Sequence, residues 1–287
     1  PNGNRCRFFL FDEYSLFRCH KMFYFRQQVL FGSFYRAINY MFHNKLYIEN
    51  NWGVFVGQLN DNKLHKHYAL QISVASESSL LITDATGTEN TYVSSWINSN
   101  VPHRFYCEKP TLIVLINPAS MIGHHLLNDY GTTEITYLKK ELNNTLHQAF
   151  DDYLLSQDAF TVFVRRLKSY LQGYQCDCES AIHFGDDRIY KSVQYLEDNF
   201  DRVVSLEEIA DVCHLSQTRF LHLFKEKTRL NFRRYQLWNR LVKSLSYLKE
   251  HSITETAHQF GFTDSSHYTR TFTETFGLSP KILTSLK

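Results

Sequence analysis

At 287 residues the chain is long enough for two ordinary domains, or for one domain with extensions. Its 31 basic and 29 acidic side chains leave a formal charge of +2, too even a balance to point to a partner by itself. No run of eighteen apolar residues and no secretory h-region before a small-residue cleavage site is present, so no membrane-spanning helix is expected and a reduced, cytoplasmic protein is the expectation. Six cysteines (Cys6, Cys19, Cys107, Cys176, Cys178 and Cys213) follow no framework spacing. Cys176 and Cys178 form a C-x-C, too close together for a zinc-ribbon knuckle and without a second pair.

Residues 1–40 hold eight phenylalanines and four tyrosines interleaved with basic residues, and neither a helical nor a strand period persists through them. They are expected to be a poorly ordered extension upstream of a domain that begins near Met41; a membrane-surface arm is the other use of such a pattern. Residues 46–118 contain seven short runs rich in Val, Ile, Leu and aromatics, separated by Gly, Asn, Asp or Pro clusters, which predicts a small antiparallel barrel or sandwich over 41–120. From Met121 to residue 172 the period becomes helical. One apolar face carries Ile135, Leu138, Leu142, Leu146 and Phe150, and a second carries Phe160, Phe163, Val164, Leu167, Tyr170 and Leu171, predicting two helices that close over the barrel or pair across a dimer. A linker is expected at 173–185 and an all-α domain at 186–287.

That last domain is built on a doubled phrase, 205–235 and 252–283. Ala210 matches Ala257 and Leu215 matches Phe262 at an offset of 47; Phe220 matches Tyr268, Phe224 matches Phe272 and Arg229 matches Gly277 at 48. A repeat of this length is one supersecondary unit used twice. Each copy has a short helix with a small residue in its middle, a turn with an apolar plug, an N-cap (Ser216 or Asp264) and a second helix with one apolar face: Phe220, Leu223 and Phe224, or Tyr268, Phe272 and Phe276. These are two helix-turn-helix units, at 206–227 and 253–276. The polar faces present Gln217, Thr218, Leu221 and His222 in the first copy and Ser266, His267, Thr269 and Arg270 in the second. Such short or hydrogen-bonding side chains suit base edges in a major groove. Nine basic residues lie between Arg219 and Lys249, which suits phosphate tracking, with Arg219, Lys225, Arg234 and Arg240 as the candidate phosphate contacts; structural ion pairs are the other use open to Lys225, Arg234 and Arg240.

The elements LEEIA, the LS turn, Phe220 to Lys225, NFRRY, Arg240-Leu241, Gly261-Phe262, SSHYTRTF and FGLSP resemble the AraC/XylS family of bacterial transcription regulators over residues 186–283. The resemblance implies sequence-specific binding to double-stranded DNA by two recognition helices, activator function, a homodimer and RNA polymerase as a further partner. The helix joining the repeats, about 18 residues, spans roughly 27 Å. It can hold two readers about one duplex turn apart, roughly 34 Å. Four positions depart from the family pattern. Arg229 stands where glycine is usual, Thr256 replaces isoleucine, Leu283 replaces an aromatic, and Thr284 replaces a basic residue.

The strand series is similar to the small cupin barrel with which many such regulators sense a ligand, carried by LHKHYALQI at 64–72, Pro102-His103 and LIVLINP. His65 and His67 alternate with Lys66 and so share one strand face, where His103 can join them. Gln71 sits near the place where a metal cupin has glutamate. Polar lining, a metal-free small-molecule effector site at His65, His67, Gln71 and His103, and a metal held by His65, His67 and His103 all remain open on sequence, with no cofactor the preferred expectation. The expected molecule is therefore a DNA-binding regulator with a cupin-like sensor and no catalytic residues. The alternative is a cupin metalloenzyme fused to a DNA-binding domain.

Overall fold

The computed structural model describes residues 44–284, apart from residue 50 and residues 59–62, 77–78, 157–158 and 179–182. The extension expected at 1–40 lies outside the described residues. The strand-rich part forms two antiparallel sheets. The larger contains β1 (Lys45–Glu49), β2 (Trp52–Gly57), β3 (Leu70–Ala75), β6 (Ser94–Ile97), β8 (Thr111–Ile116) and β9 (Ile135–Thr136) in the order β1-β2-β8-β3-β6-β9. The smaller contains β4 (Leu80–Asp84), β5 (Glu89–Tyr92) and β7 (His103–Tyr106) in the order β5-β4-β7.

Two sequence expectations need correction here. The run 91–97 reads as one strand, yet it is divided between the two sheets at Val93, whose side chain is exposed. Ile135, placed on a helical face, instead pairs with Ile97 in β9. A two-residue strand has no period of its own, so only tertiary pairing defines it.

Every residue of β3 is buried, which requires cover on both faces. Alternation and register assign the two faces. Gln71, Ser73 and Ala75 point to the same side as their partners Leu115, Ile113 and Thr111, and as Ile97. This side faces the smaller sheet, where Ala75, Ile82, Ile97, Phe105 and Ile113 form one core cluster. Leu70, Ile72 and Val74 point the other way with Trp96, Val114 and Ile116. That face is covered by helices: Trp96 stacks on Tyr130 of α1 (Met121–Tyr130) at 4.3 Å, and Ser94 donates a hydrogen bond to Asn143 of α2 (Lys140–Leu155). α2 packs on α3 (Phe160–Gln172), and Leu142, Leu146, Phe150, Phe163, Val164, Leu167 and Leu171 are all buried. Three helices, rather than the two expected, follow the sheets before the linker.

Beyond the linker come α4 (Asp187–Asp198), α5 (Leu206–Val212), α6 (Gln217–Thr228), α7 (Phe232–Leu248), α8 (Ile253–Gln259), α9 (Ser265–Phe276) and the short α10 (Lys281–Thr284). α5 and α8 start on the same device. Ser205 and Ser252 each accept from the N–H three residues on, and Glu208 and Glu255 reach back to the cap N–H. α7 belongs to two cores. Phe232 and Tyr235 pack with Ile209, Ala210, Phe220 and Phe224, whereas Leu241 and Leu248 pack with Ala257, Phe262, Tyr268 and Phe272. Thr256 fills its apolar slot by donating its hydroxyl to Ser252 O at 2.8 Å, and Leu283 is buried in the second core despite its lost aromatic bulk. Among the described residues, no helix is long and apolar enough to cross a membrane.

The two copies differ at their turns. His214 (φ 53) and Arg229 (φ 59) are left-handed in the first, and the matching positions of the second are Gly261 (φ 66) and Gly277 (φ 70). A β-carbon makes that conformation costly, by roughly 1 kcal/mol at a single position. His214→Gly and Arg229→Gly are therefore each expected to stabilise the protein by about 0.5–1 kcal/mol, read as a higher urea midpoint. Gly261→Ala should do the reverse, since its Cβ would stand 3.1 Å from Asp201 O and 3.2 Å from the Arg240 guanidinium.

Candidate nucleic-acid interface and effector pocket

The second helix of each unit is fixed by its cap and its buried face, and this decides which side chains are left exposed. Ser216 accepts from Arg219 N–H at 3.3 Å and Asp264 from His267 N–H at 2.7 Å. With Phe220, Leu223 and Phe224 buried, α6 turns Gln217, Thr218, Arg219, Leu221, His222 and Lys225 to solvent. α9 exposes Ser266 and Arg270 and leaves His267 and Thr269 half-buried; a shallow groove along it is lined by Ser265, Ser266, Thr269, Arg270, Thr273 and Glu274. His267 is partly occupied by its own turn. Its Nδ1 accepts from Thr263 N–H at 3.5 Å and its ring lies 5.5 Å from Phe262, so Nε2 is the edge that remains for a base.

Arg240 does not lie where the sequence placed it. It is 7% exposed, its guanidinium donates to Gly261 O and lies 5.2 Å from the Phe262 ring, and burial pulls its pKa down. A side chain that holds the turn of the second unit from inside cannot also clamp a phosphate. The cationic block overstated the phosphate surface by this residue. Arg234 is exposed, but it lines a groove between α7, α9 and the segment carrying Lys66, together with Glu274.

The four residues expected to line an effector site converge. An isolated antiparallel bridge joins His65 to His103, with N–H to O distances of 3.0 and 2.9 Å. The three imidazole rings lie 4.4–5.6 Å apart. Each Nδ1 meets a backbone carbonyl two residues away: His65 on Lys63, His67 on Ala69 and His103 on Val101. In His65 and His103 this contact selects the Nδ1–H tautomer and turns the Nε2 lone pair inward, whereas His67 has an acceptor at each ring nitrogen, Ala69 O and Gln71 Oε1. His67 Nε2 is 3.0 Å from the Gln71 amide, which in turn reaches Ser73 at 2.9 Å, while the buried His103 Nε2 has no partner. Burial drives all three pKa values down, His65 to about 3, so the site is neutral at physiological pH.

His65, His67 and Gln71 form the polar end of a cavity of about 110 Å³ that is otherwise apolar. Its walls come from two domains: Phe55, Phe105, Ile113 and Leu115 from the sheets, and Leu245, Phe272, Phe276, Leu278, Ile282 and Leu283 from the carboxy-terminal helical domain. The contribution from the carboxy-terminal domain was missed in the sequence. The available signal was the apolar surplus at Phe276, Leu278 and Ile282, beyond what one helix face of α9 needs. Further contacts tie the domains together: Lys63 N–H donates to Gly277 O at 3.0 Å, Lys249 Nζ to Leu46 O at 3.0 Å, and Tyr68 packs on Tyr235 at 5.6 Å.

Comparison with known proteins agrees with this architecture. A family model described as a helix-turn-helix domain matches residues 209–284. The "probable transcriptional regulator LumQ" of Photobacterium leiognathi is 23% identical over 230 residues, 75% of this chain and 88% of LumQ. The transcriptional activator RhaS of Enterobacter sp. is 30% identical over 149 residues, 51% of this chain, and the chain spans half the length of that RhaS. Among solved structures, apo ToxT from Vibrio cholerae superposes with a TM-score of 0.56 at 15% identity, covering 83% of this chain and 99% of ToxT. A ToxT structure with unsaturated fatty acid bound gives 0.51 at 16% identity, covering 82% of this chain and 95% of that one. With two helix-turn-helix units on one shared helix and a two-sheet domain before them, the chain is similar to AraC-type transcription regulators, and its residues 209–284 match a helix-turn-helix domain.

Proposed function

We propose that this regulator places α6 and α9 in successive major grooves and that a small amphipathic molecule in the interdomain cavity biases how α9 is held. The observation that carries the proposal is the cavity wall itself, because Phe272 and Phe276 lie on the buried side of the helix whose other side presents Ser266 and Arg270. A ligand there touches the sensor and the reader at once. The polar end (neutral imidazoles and an amide) suits a hydroxyl or carboxylic acid, and the remaining wall suits an alkyl chain. His65 and His67 also border the outer groove lined by Lys66 and Arg234, where a carboxylate would find positive charge. ToxT with unsaturated fatty acid bound makes a fatty acid the first ligand to try. Activation through RNA polymerase, a second copy of the chain paired through α2 and α3, and a cytoplasmic location complete the proposal. Exposed Leu155, Val162 and Tyr170 support the pairing.

The test is a DNA-binding titration. Lys225→Ala is expected to weaken specific and non-specific binding alike and to lower the salt slope by about 1; Arg270→Ala is expected to relax base preference, at about 1–3 kcal/mol for the affected position. Unchanged affinity in both variants removes the DNA face. Oleate should shift the wild-type affinity and leave Leu115→Phe, whose longer side chain occupies the cavity, unaffected. No oleate effect on either protein removes the fatty-acid assignment.

A second use of the histidines is favoured by one observation, the unpartnered buried Nε2 of His103. The three ligand nitrogens lie within 4.8 Å of one another, so a metal could be held there, although His67 Nε2 is engaged by Gln71. Metal lost on His103→Gln would assign it. The known relatives are regulators, and a hydrolytic or oxidative role is not proposed.

A further inference from the structure

Four metal-ligating side chains outside the sensor pocket meet where the sheet domain passes into the DNA-binding domain. His124 is on α1, Cys176 and Cys178 follow α3, and His183 stands just before α4. Their ligand atoms all lie within 4.8 Å of one another. Cys176 Sγ is 3.0 Å from His183 Nε2, and Cys178 Sγ is 3.2 Å from His124 Nδ1. The two rings are stacked, with centroids 4.6 Å apart. We propose that His124, Cys176, Cys178 and His183 form a tetrahedral zinc site.

The donor set is the one zinc takes in structural sites: two thiolates to neutralise the ion and two neutral imidazoles. Bond lengths of about 2.3 Å to sulfur and 2.0–2.1 Å to nitrogen imply S–N edges of roughly 3.5 Å in a tetrahedron. The two S–N contacts are a few tenths of an ångström short of that, so small outward movements of the side chains admit the ion. The outer contacts are also those of a ligand set. His183 Nδ1 meets Ala119 O at 3.0 Å, which fixes the tautomer and aims Nε2 at the cysteines. Cys176 N–H points to Met121 O at 3.4 Å and holds the cysteine turn against the start of α1. A C-x-C alone lacks half of a site. The fold supplies the other half from a histidine 54 residues before Cys178 and another seven residues after Cys176.

The position of the site gives it a role. Ala119 and Phe184 both pack into the core of the first helix-turn-helix unit, and α1 covers the larger sheet through Tyr130. An ion held by residues 124, 176, 178 and 183 therefore staples the sensor domain to the entry of the DNA-binding domain. Within the linker expected at 173–185, Cys176, Cys178 and His183 would hold the corner.

The test is metal analysis of the full chain, purified under reducing conditions and then equilibrated with Zn²⁺ and desalted. About one zinc per chain is expected in the wild type, falling below about a tenth in the Cys176→Ser, Cys178→Ser double variant, while His65→Gln retains it. Co²⁺ added to the metal-free wild type should produce tetrahedral ligand-field bands and a thiolate charge-transfer band, a readout that does not depend on any variant folding. Wild type that retains no zinc and gives no thiolate–cobalt band overturns the site. So does zinc that survives in the double-serine variant and disappears in His65→Gln, which would place the ion in the sensor pocket. An ion bound at the corner with no change in DNA or oleate response would leave the proposed regulatory function untouched, because the two tests read different properties.

Discussion

Arg240→Ala lowers the stability of the protein by about 2 kcal/mol and leaves the salt slope of DNA binding unchanged. The magnitude follows from what the guanidinium does. Its hydrogen bond to Gly261 O has an ionised donor, in the range of roughly 1.5–3 kcal/mol, and the Phe262 ring contributes about 0.5–1 kcal/mol more. Desolvation of the cation offsets part of this, as its lowered pKa and unpartnered Nε show. Alanine also strands Gly261 O at the turn that orients α9. A phosphate contact would behave differently: its loss reduces the salt slope by about 1 with little change in stability. Urea unfolding and a salt titration of DNA affinity on the same variant separate the two, and a reduced slope at wild-type stability would restore Arg240 to the DNA surface.

The second large effect is in pH. His65, His67 and His103 are held neutral by burial, with folded pKa values below the ordinary 6.5. Below pH 6.5 the unfolded chain takes up protons that the folded chain refuses. Stability is therefore full above pH 6.5 and falls as pH drops toward the folded values, about 3 for His65. Each histidine contributes a slope approaching 1.4 kcal/mol per pH unit, so the three together approach about 4. Between pH 6.5 and 5 most carboxylates are still ionised, and this window isolates the histidines. The urea midpoint should drop steeply there in the wild type and less steeply in His65→Gln, His103→Gln. A flat midpoint across that window would mean that the imidazoles are hydrated rather than sealed.

The parts of this fold that local chemistry dictates were legible in the sequence. The capping residues Ser216 and Asp264, the apolar faces at Phe220, Phe224, Tyr268 and Phe272, and the left-handed turn at Arg229 follow from spacing within a few residues. The histidine pocket was legible for a similar reason, since alternation sets His65 and His67 on one face and only His103 had to arrive from another strand. Features that depend on distant partners were not. Nothing local marks Arg240 as buried, because an arginine in a basic helix looks the same whether Gly261 or a phosphate waits for it. Val93 breaks a run that any strand period would continue. The C-x-C was set aside for want of a second pair, and its companions are histidines that no motif spacing connects to it.

Tyr68 of the sensor domain lies inside the core of the first helix-turn-helix unit, and Leu278 and Ile282 of the second unit lie against the core between the sheets. Each half of the molecule thus finishes the interior of the other. A fragment cut at residue 185 would lose this cover and lay bare Tyr235, Trp238, Phe276 and Leu278 together, a sticky face prone to self-association. Work on the DNA-binding half in isolation would then report on clumping as much as on recognition. The natural unit of study is the pair.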